Sequence, residues 1–301
     1  MRARVLAVFA SVLSCSCFTY IDGPGQAGSP GPPLPWVLSA DAAVSRARLG
    51  AVVLDARPDD LRERAPVERA RALSWQQLSE PDDPRRGELL DDLDALSLEL
   101  RRAGVSSNRD VIVLGDPLRG WGEAGRITWS LRALGHERVA LVDGGAPAFI
   151  DSSATGGDLG DPPGVGDFVA SPVGVFEVDG LELRDALDGG ASDVVLLDTR
   201  ELREYEGQTP YGESRGGHVP GAEHLYFKEL LDDDGFFLPP GDVRALLASR
   251  GASPDDDVVA YCTGGVRSAF VVVALRHVGF ERARNYPASM WEWSATTWPL
   301  E

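Results

Sequence analysis

Outside the N-terminal stretch the chain has one cysteine, Cys262, and it opens the loop Cys262-Thr263-Gly264-Gly265-Val266-Arg267-Ser268. Two adjacent glycines let a backbone curl so that successive N–H groups face inward. The apolar run Ala269 to Val278 follows, so a helix N-terminus, with its partial positive charge, falls at the end of the loop. Arg267 adds a full charge there. Together these features lower a thiol pKa below its free value, and the thiolate is the nucleophilic form. The chemistry they suit is attack by sulfur, with the charge on sulfur held by main-chain amides. A cysteine serving only as buried filler has no need of the glycine pair, the arginine and the helix start at once.

Such a loop needs a strand before it and a helix after it. Asp257-Val258-Val259-Ala260-Tyr261 supplies the strand, being apolar throughout as a buried parallel strand is, rather than alternating. The same order of elements occurs earlier in the chain. Ala51-Val52-Val53-Leu54-Asp55-Ala56-Arg57 matches Val194-Val195-Leu196-Leu197-Asp198-Thr199-Arg200, both ending in Asp-x-Arg, and Asp110-Val111-Ile112-Val113-Leu114 matches the strand before Cys262. Helical patterns lie between the strands. Glu88 to Arg102 carries spaced leucines and ends in Ala103-Gly104, and Val243 to Arg250 precedes Gly251, each glycine suiting a C-terminal cap. Strands alternating with helices predict an α/β fold with a mainly parallel sheet flanked by helices in each half. The expected organisation is a signal segment at 1–14, a flexible Gly/Pro-rich tether at 15–36, a domain at 37–150, a linker at 151–171 and a second domain at 172–301.

Taken together, Asp198-Thr199-Arg200, Gly217-His218-Val219-Pro220-Gly221-Ala222 and the Cys262 loop resemble the rhodanese family of sulfurtransferases. The first half is similar to the non-catalytic domain of the tandem members, through Gly115-Asp116-Pro117, Gly120-Trp121-Gly122-Glu123-Ala124-Gly125-Arg126 and Val142-Asp143-Gly144-Gly145. It has no cysteine, and its equivalent of the sulfur position falls at Gly115 or Asp116, so it is expected to be a scaffold and a wall of the cleft. The resemblance implies two rhodanese-like domains and a two-step transfer. Cys262 would take the outer sulfur of a donor such as thiosulfate or 3-mercaptopyruvate as a persulfide, and a thiol or cyanide acceptor would remove it. Thr263, Gly264, Gly265, Val266, Arg267 and Ser268 would hold the sulfane sulfur, with Arg267 and Arg200 neutralising the donor's anionic group. No metal or organic cofactor is implied. Glu204 stands where the thiosulfate enzymes of the family carry a second arginine, and Thr263 and Gly264 stand where their loop is basic. Less positive charge near sulfur weakens the case for a small dianion such as thiosulfate and leaves the donor's identity open.

Composition narrows the partners. A net charge of -18 over 301 residues argues against nucleic acid, whose affinity rests on neutralised phosphates. Arg2, Arg4 and the short apolar run Val5 to Leu13 read as an export signal, too short to span a bilayer. The run ends in Val12-Leu13-Ser14-Cys15, like a lipoprotein signal in which Cys15 is lipidated. An exported protein, periplasmic or membrane-anchored through Cys15, is the expectation.

Two other uses of the loop compete. Cysteine-dependent phosphatases and arsenate reductases have a longer loop between cysteine and arginine; the four residues here shape a nest for one sulfur rather than a tetrahedral oxyanion. A non-enzymatic sulfur carrier or binding module would use the same loop without turnover. His218, flanked by glycine and valine, is expected to brace its turn, and His136, His224 and His277 lack metal-ligand spacing. Trp291 and Trp293, with Trp298, either frame the cleft or pack as core. Asp232-Asp233-Asp234-Gly235 lacks the spaced ligands of a calcium loop and reads as a solvated turn.

Overall fold

The computed structural model describes residues 32–154, 158–189 and 194–301. The expected signal segment, Cys15 and most of the tether lie outside the described residues. In chain order the first half comprises β1 (Val37–Leu38), α1 (Ala40–Arg48), β2 (Val52–Asp55), α2 (Asp59–Arg64), β3 (Arg71–Ala72), α3 (Leu93–Arg102), β4 (Val111–Leu114), α4 (Glu123–Ala133), β5 (Val139–Val142) and α5 (Gly145–Ser153). The second comprises α6 (Gly180–Asp188), β6 (Val194–Asp198), α7 (Leu202–Tyr205), β7 (Glu223–His224), α8 (Pro240–Ala248), β8 (Asp257–Tyr261), α9 (Val266–His277), β9 (Arg284–Asn285) and α10 (Ser289–Trp293).

The two sheets are wholly parallel, in the orders β1-β5-β4-β2-β3 and β7-β6-β8-β9. Glu177 bridges Asn285 of β9 in parallel, taking the place that β1 occupies beside β5. Read from that edge, the second sheet repeats the order of the first. β2, β4 and β5 are buried along their whole length, because helices cover both sheet faces.

The helix expected from Glu88 begins instead at Leu93. Asp92 caps it, its carboxylate accepting from the N–H groups of Asp94 and Ala95. Leu89 and Leu90 are drawn into an extended pairing with Leu78 and Ser79, whose backbone competes for their hydrogen bonds. The expected linker also begins late, since α5 runs to Ser153. Its last residues are strapped to the first half: Phe168 and Ala170 are buried, the Phe168 N–H donates to Val105 O and Arg101 Nε donates to Phe168 O.

The halves meet along α4 and α9. From Glu123 to Ala133 and from Val266 to Arg276 every residue is buried, because each helix lies between its own sheet and the other helix. A helix apolar or buried all round is what such a position demands. Gly125 makes the close approach: a Cβ there would stand 2.3 Å from the Cα of Phe270. Ile127 and Leu131 of α4 share one core with Phe270 and Val271 of α9. Among the described residues no helix is long and apolar enough to cross a membrane.

Candidate active site

The end of β6 is locked before the cysteine loop is reached. Asp198 and Arg200 are buried, and Arg200 grips Asp198 from Nε to Oδ1 at 2.9 Å and from Nη2 to Oδ2 at 2.6 Å, while Nη2 also donates to Gly217 O at 2.8 Å. This anchors the Gly217-His218-Val219 turn, where the Val219 N–H donates to the hydroxyl of Tyr261. His218 contributes as expected of a brace: its Nδ1 lies 3.0 Å from Tyr205 O and its ring stacks on Tyr205 at 3.7 Å. The first half repeats the lock, with Arg57 holding Asp55 and donating to Ala65 O. A contact present in a half without cysteine is a structural one. In this structure Nε and Nη2 of Arg200 are engaged by Asp198 and Gly217.

β8 ends at Tyr261, opposite Asp198, and delivers Cys262 into the loop. Gly265 turns the chain with φ 74°, in the left-handed region that favours glycine, and caps α9. Cys262 is 1% exposed. Its N–H donates to Ser289 Oγ at 3.1 Å, its carbonyl accepts from the Met290 N–H, and the Ser268 hydroxyl donates to Sγ at 3.5 Å. Burial pushes the thiol up. The charge of Arg267, the Ser268 hydroxyl and the amides of Ser268 and Gly264 more than offset that, so the pKa lies below the ordinary thiol value. The loop thus favours the thiolate, with the Ser268 hydroxyl and the amides of Ser268 and Gly264 among the groups that do so.

Arg267 does not face that nest alone. Its Nη1 donates to Glu204 Oε2 at 2.6 Å and its Nη2 to Glu204 Oε1 at 2.8 Å, a bidentate pair with both partners buried. Nη2 also donates to Thr263 Oγ1, whose hydroxyl lies 2.8 Å from Glu204 Oε1 and 3.4 Å from Glu213 Oε1. Burial raises the Glu204 carboxyl, but the Arg267 fork and the Thr263 hydroxyl bring it below the usual carboxylate range. So Glu204, marked in sequence only as a departure, is the counter-ion of the loop's arginine. Both Nη atoms of Arg267, expected to face a donor, are engaged by Glu204 and Thr263 in this structure.

Aromatic rings wall the loop from both halves. Trp121 and Tyr211 meet edge to face at 5.5 Å, with the Arg267 guanidinium 5.4 Å from one ring and 5.5 Å from the other. Trp291 lies flat against Gly264, where a Cβ would fall 1.9 Å from its ring, and its Nε1 donates to Tyr211 O. Exposed Arg86 stacks on Trp291 at 4.2 Å. Trp293, by contrast, is core, buried against Trp298 with Nε1 donating to Pro299 O. The aromatic tail thus divides between wall and packing.

In the first half the register settles the sulfur-equivalent position. Asp55 pairs Leu114 as Asp198 pairs Tyr261, so Gly115, not Asp116, matches Cys262. The space there is closed. A Cβ on Gly115 would lie 2.7 Å from Ala124 Cβ, Arg119 folds back onto Asp116, and the remaining cavity is about 20 Å3. Three residues that sequence reading assigned no role adjoin the Cys262 loop: Arg126, Glu213 and Ser289. Ser289 holds a positive φ of 53°, unusual for a residue with a side chain, while its Oγ accepts from Cys262 N–H and donates to Tyr286 O.

Comparison with known proteins agrees with this geometry. The family model described as "Rhodanese-like domain" matches residues 181–296. The chain is 33% identical over 203 residues to "Putative thiosulfate sulfurtransferase SseB" of Mycobacterium tuberculosis, covering 67% of this chain and 69% of the relative. It is 33% identical over 205 residues to "Probable 3-mercaptopyruvate sulfurtransferase" of Pseudomonas aeruginosa, covering 66% and 69%. Among solved structures, the Tum1 protein of Saccharomyces cerevisiae superimposes with a TM-score of 0.73 at 18% identity, covering 87% of this chain and 96% of that one.

Proposed function

Since the chain belongs to the rhodanese family of sulfurtransferases, we propose that Cys262 is its sulfur-carrying nucleophile and works through a persulfide. The observation that carries this is the buried Cys262 thiol receiving the Ser268 hydroxyl and two loop amides at the start of α9. The Cys262 thiolate attacks the outer sulfur of the donor. A new S–S bond forms, the donor's bond to that sulfur breaks, and the donor departs with the electron pair, as sulfite from thiosulfate or pyruvate from 3-mercaptopyruvate once a proton is taken up. A thiol or cyanide then attacks the outer sulfur and returns Cys262 as thiolate. The Gly264 and Ser268 donors stabilise the anionic sulfur at the start and end of the cycle.

The two arginines expected to meet the donor's anionic group are each paired with a carboxylate, Arg267 with Glu204 and Arg200 with Asp198. That supports a mercapto-acid with a single carboxylate over thiosulfate. The test is thiocyanate release with excess cyanide and either donor. A higher kcat/KM for 3-mercaptopyruvate is expected; a clear preference for thiosulfate overturns the donor assignment. A carrier without turnover would release no more than one thiocyanate per chain, and a phosphatase would instead hydrolyse p-nitrophenyl phosphate.

The basic start and apolar run before Cys15 support export with lipidation of that cysteine. Recovery of the full chain in the cytosolic fraction of a bacterial host, without lipid on Cys15, would count against it.

A further inference from the structure

Three buried arginines adjoin the sulfur site, and two of them are neutralised by carboxylates, Arg267 by Glu204 and Arg200 by Asp198. The third comes from the other half. Arg126, on α4, is 0% exposed, and its hydrogen bonds run only to neutral oxygens: Nη1 to Gly265 O at 3.2 Å, Nη2 to Ser79 Oγ at 3.0 Å and to Gly87 O at 2.6 Å. Its Nε has no hydrogen-bond partner, and no carboxylate among the described residues lies within ion-pair distance. A buried guanidinium without a counter-ion is disfavoured, because its lost hydration is not made good by a paired charge. The sequence meets that cost where α4 touches the cysteine loop.

The contact is with the peptide that joins the cysteine loop to α9. Gly265 is the left-handed residue that turns the loop into α9, and its carbonyl accepts from both Arg126 and Asn285 Nδ2. Because a peptide group is planar, fixing that carbonyl fixes the Val266 N–H on its opposite side. A Cβ on Gly265 would lie 2.7 Å from Arg126 Nη1, so the glycine also makes room for the arginine. Burial depresses the Arg126 pKa to about 10, which leaves it charged at neutral pH, and the negative groups that favour its charge are Cys262 and then Glu177. The charged groups around the sulfur are thus Arg267 from α9, Glu204 from α7, the Asp198–Arg200 pair at the end of β6, Glu213 from the segment before the His218 turn, and Arg126 from α4, with Glu177 acting on Arg126.

We propose that Arg126 is a positioning residue for sulfur transfer: a cation supplied by the cysteine-free half that fixes the Gly265 peptide and holds Cys262 in its ionised form. The inference rests on the reading of Cys262 as the sulfur carrier. On this view the first half is part of the site, and the reactive sulfur depends on both halves being docked.

The experiment is the pH dependence of iodoacetamide alkylation of Cys262 in the full chain, followed at the Cys262 peptide by mass so that Cys15 and Cys17 do not interfere, with thermal unfolding run in parallel. The Arg126→Gln variant, which keeps a donor for Gly265 O but loses the charge, should move the midpoint up by about one pH unit or more. That is a tenfold loss of thiolate below the midpoint. The Arg126→Lys variant should restore most of it. A folded Arg126→Gln protein with the wild-type midpoint overturns the proposal, as a merely structural role would lower only the unfolding temperature. Should Arg126→Gln not fold, Arg126→Lys still decides: a midpoint near the wild type supports the role, and a shift of about one unit with the charge retained overturns it. A wild-type midpoint at the free-thiol value of about 8.5 would instead sink the Cys262 reading itself.

Discussion

The two halves share a frame and differ in three places around the position of the sulfur. Each closes a buried strand with the same Asp-x-Arg lock, Asp55 with Arg57 and Asp198 with Arg200. Each starts the helix at the interface from a left-handed glycine, Gly122 or Gly265. In the second half Gly265 follows Cys262 by three residues, so the helix N-terminus and its amides close on the sulfur. In the first, Gly122 follows Gly115 by seven, and the longer excursion is filled by Asp116 and Arg119. Four residues past the lock, the first half buries Leu61 and the second buries Glu204, which holds Arg267. The third difference is direction: α4 sends Arg126 across the interface into the cysteine loop, whereas position 269 of α9, the same distance past its glycine, is an alanine. Frame and chemistry are therefore separable, and one half has kept the frame while lending a charge to the other.

The sharpest way to break this comparison is to move the sulfur. Cys262→Ser should abolish donor-dependent thiocyanate release, and adding Gly115→Cys to it should restore none, because Ala124 occupies the space a side chain would need at position 115. Recovered turnover would show the first half to be a latent site. Next in size is the shared lock. Arg57→Met and Arg200→Met each strand a buried aspartate and should cost about 3–5 kcal/mol in denaturant unfolding. Sulfur loading per folded molecule should survive in the Arg200→Met protein; loss of loading at unchanged stability would return Arg200 to donor binding.

A smaller effect separates Leu61 from Glu204. Glu204→Gln removes the anion nearest to Arg267, so the Cys262 pKa, already depressed, should fall further. The sign follows from the thiolate being the reactive form: with a lower pKa, more of it survives as pH drops, and loading at mildly acidic pH should rise several-fold. An unchanged or higher alkylation midpoint would contradict the assigned pairing. Smallest is His218→Ala, which loses one hydrogen bond and one ring stack, about 1–2 kcal/mol, with loading unaltered.

What could be read in advance follows sequence distance. The strands, the Asp-x-Arg ends and the Cys262 loop are local patterns, and a run such as Val258 to Tyr261 declares itself within a few residues. The start of α3 is not legible locally, because leucine spacing extends through Leu89 and Leu90 while the cap at Asp92 and the pairing with Leu78 decide the boundary. Glu204 and Arg267 are 63 residues apart, and Arg126 and Gly265 are 139 apart, so nothing local joins them. Arg126 stood inside a motif noted for resemblance, yet its lack of a counter-ion is visible only once α4 and α9 are packed. The strained backbone of Ser289 left no trace in its residue type.

The most direct test of the central claim is the intact mass of the full chain after incubation with thiosulfate or 3-mercaptopyruvate and no acceptor, with the added mass then placed by peptide mapping. One extra sulfur atom per chain, located on Cys262 and lost on adding cyanide, is the expected result. A chain that gains no sulfur at Cys262 from either donor, while its fold is intact, contradicts it.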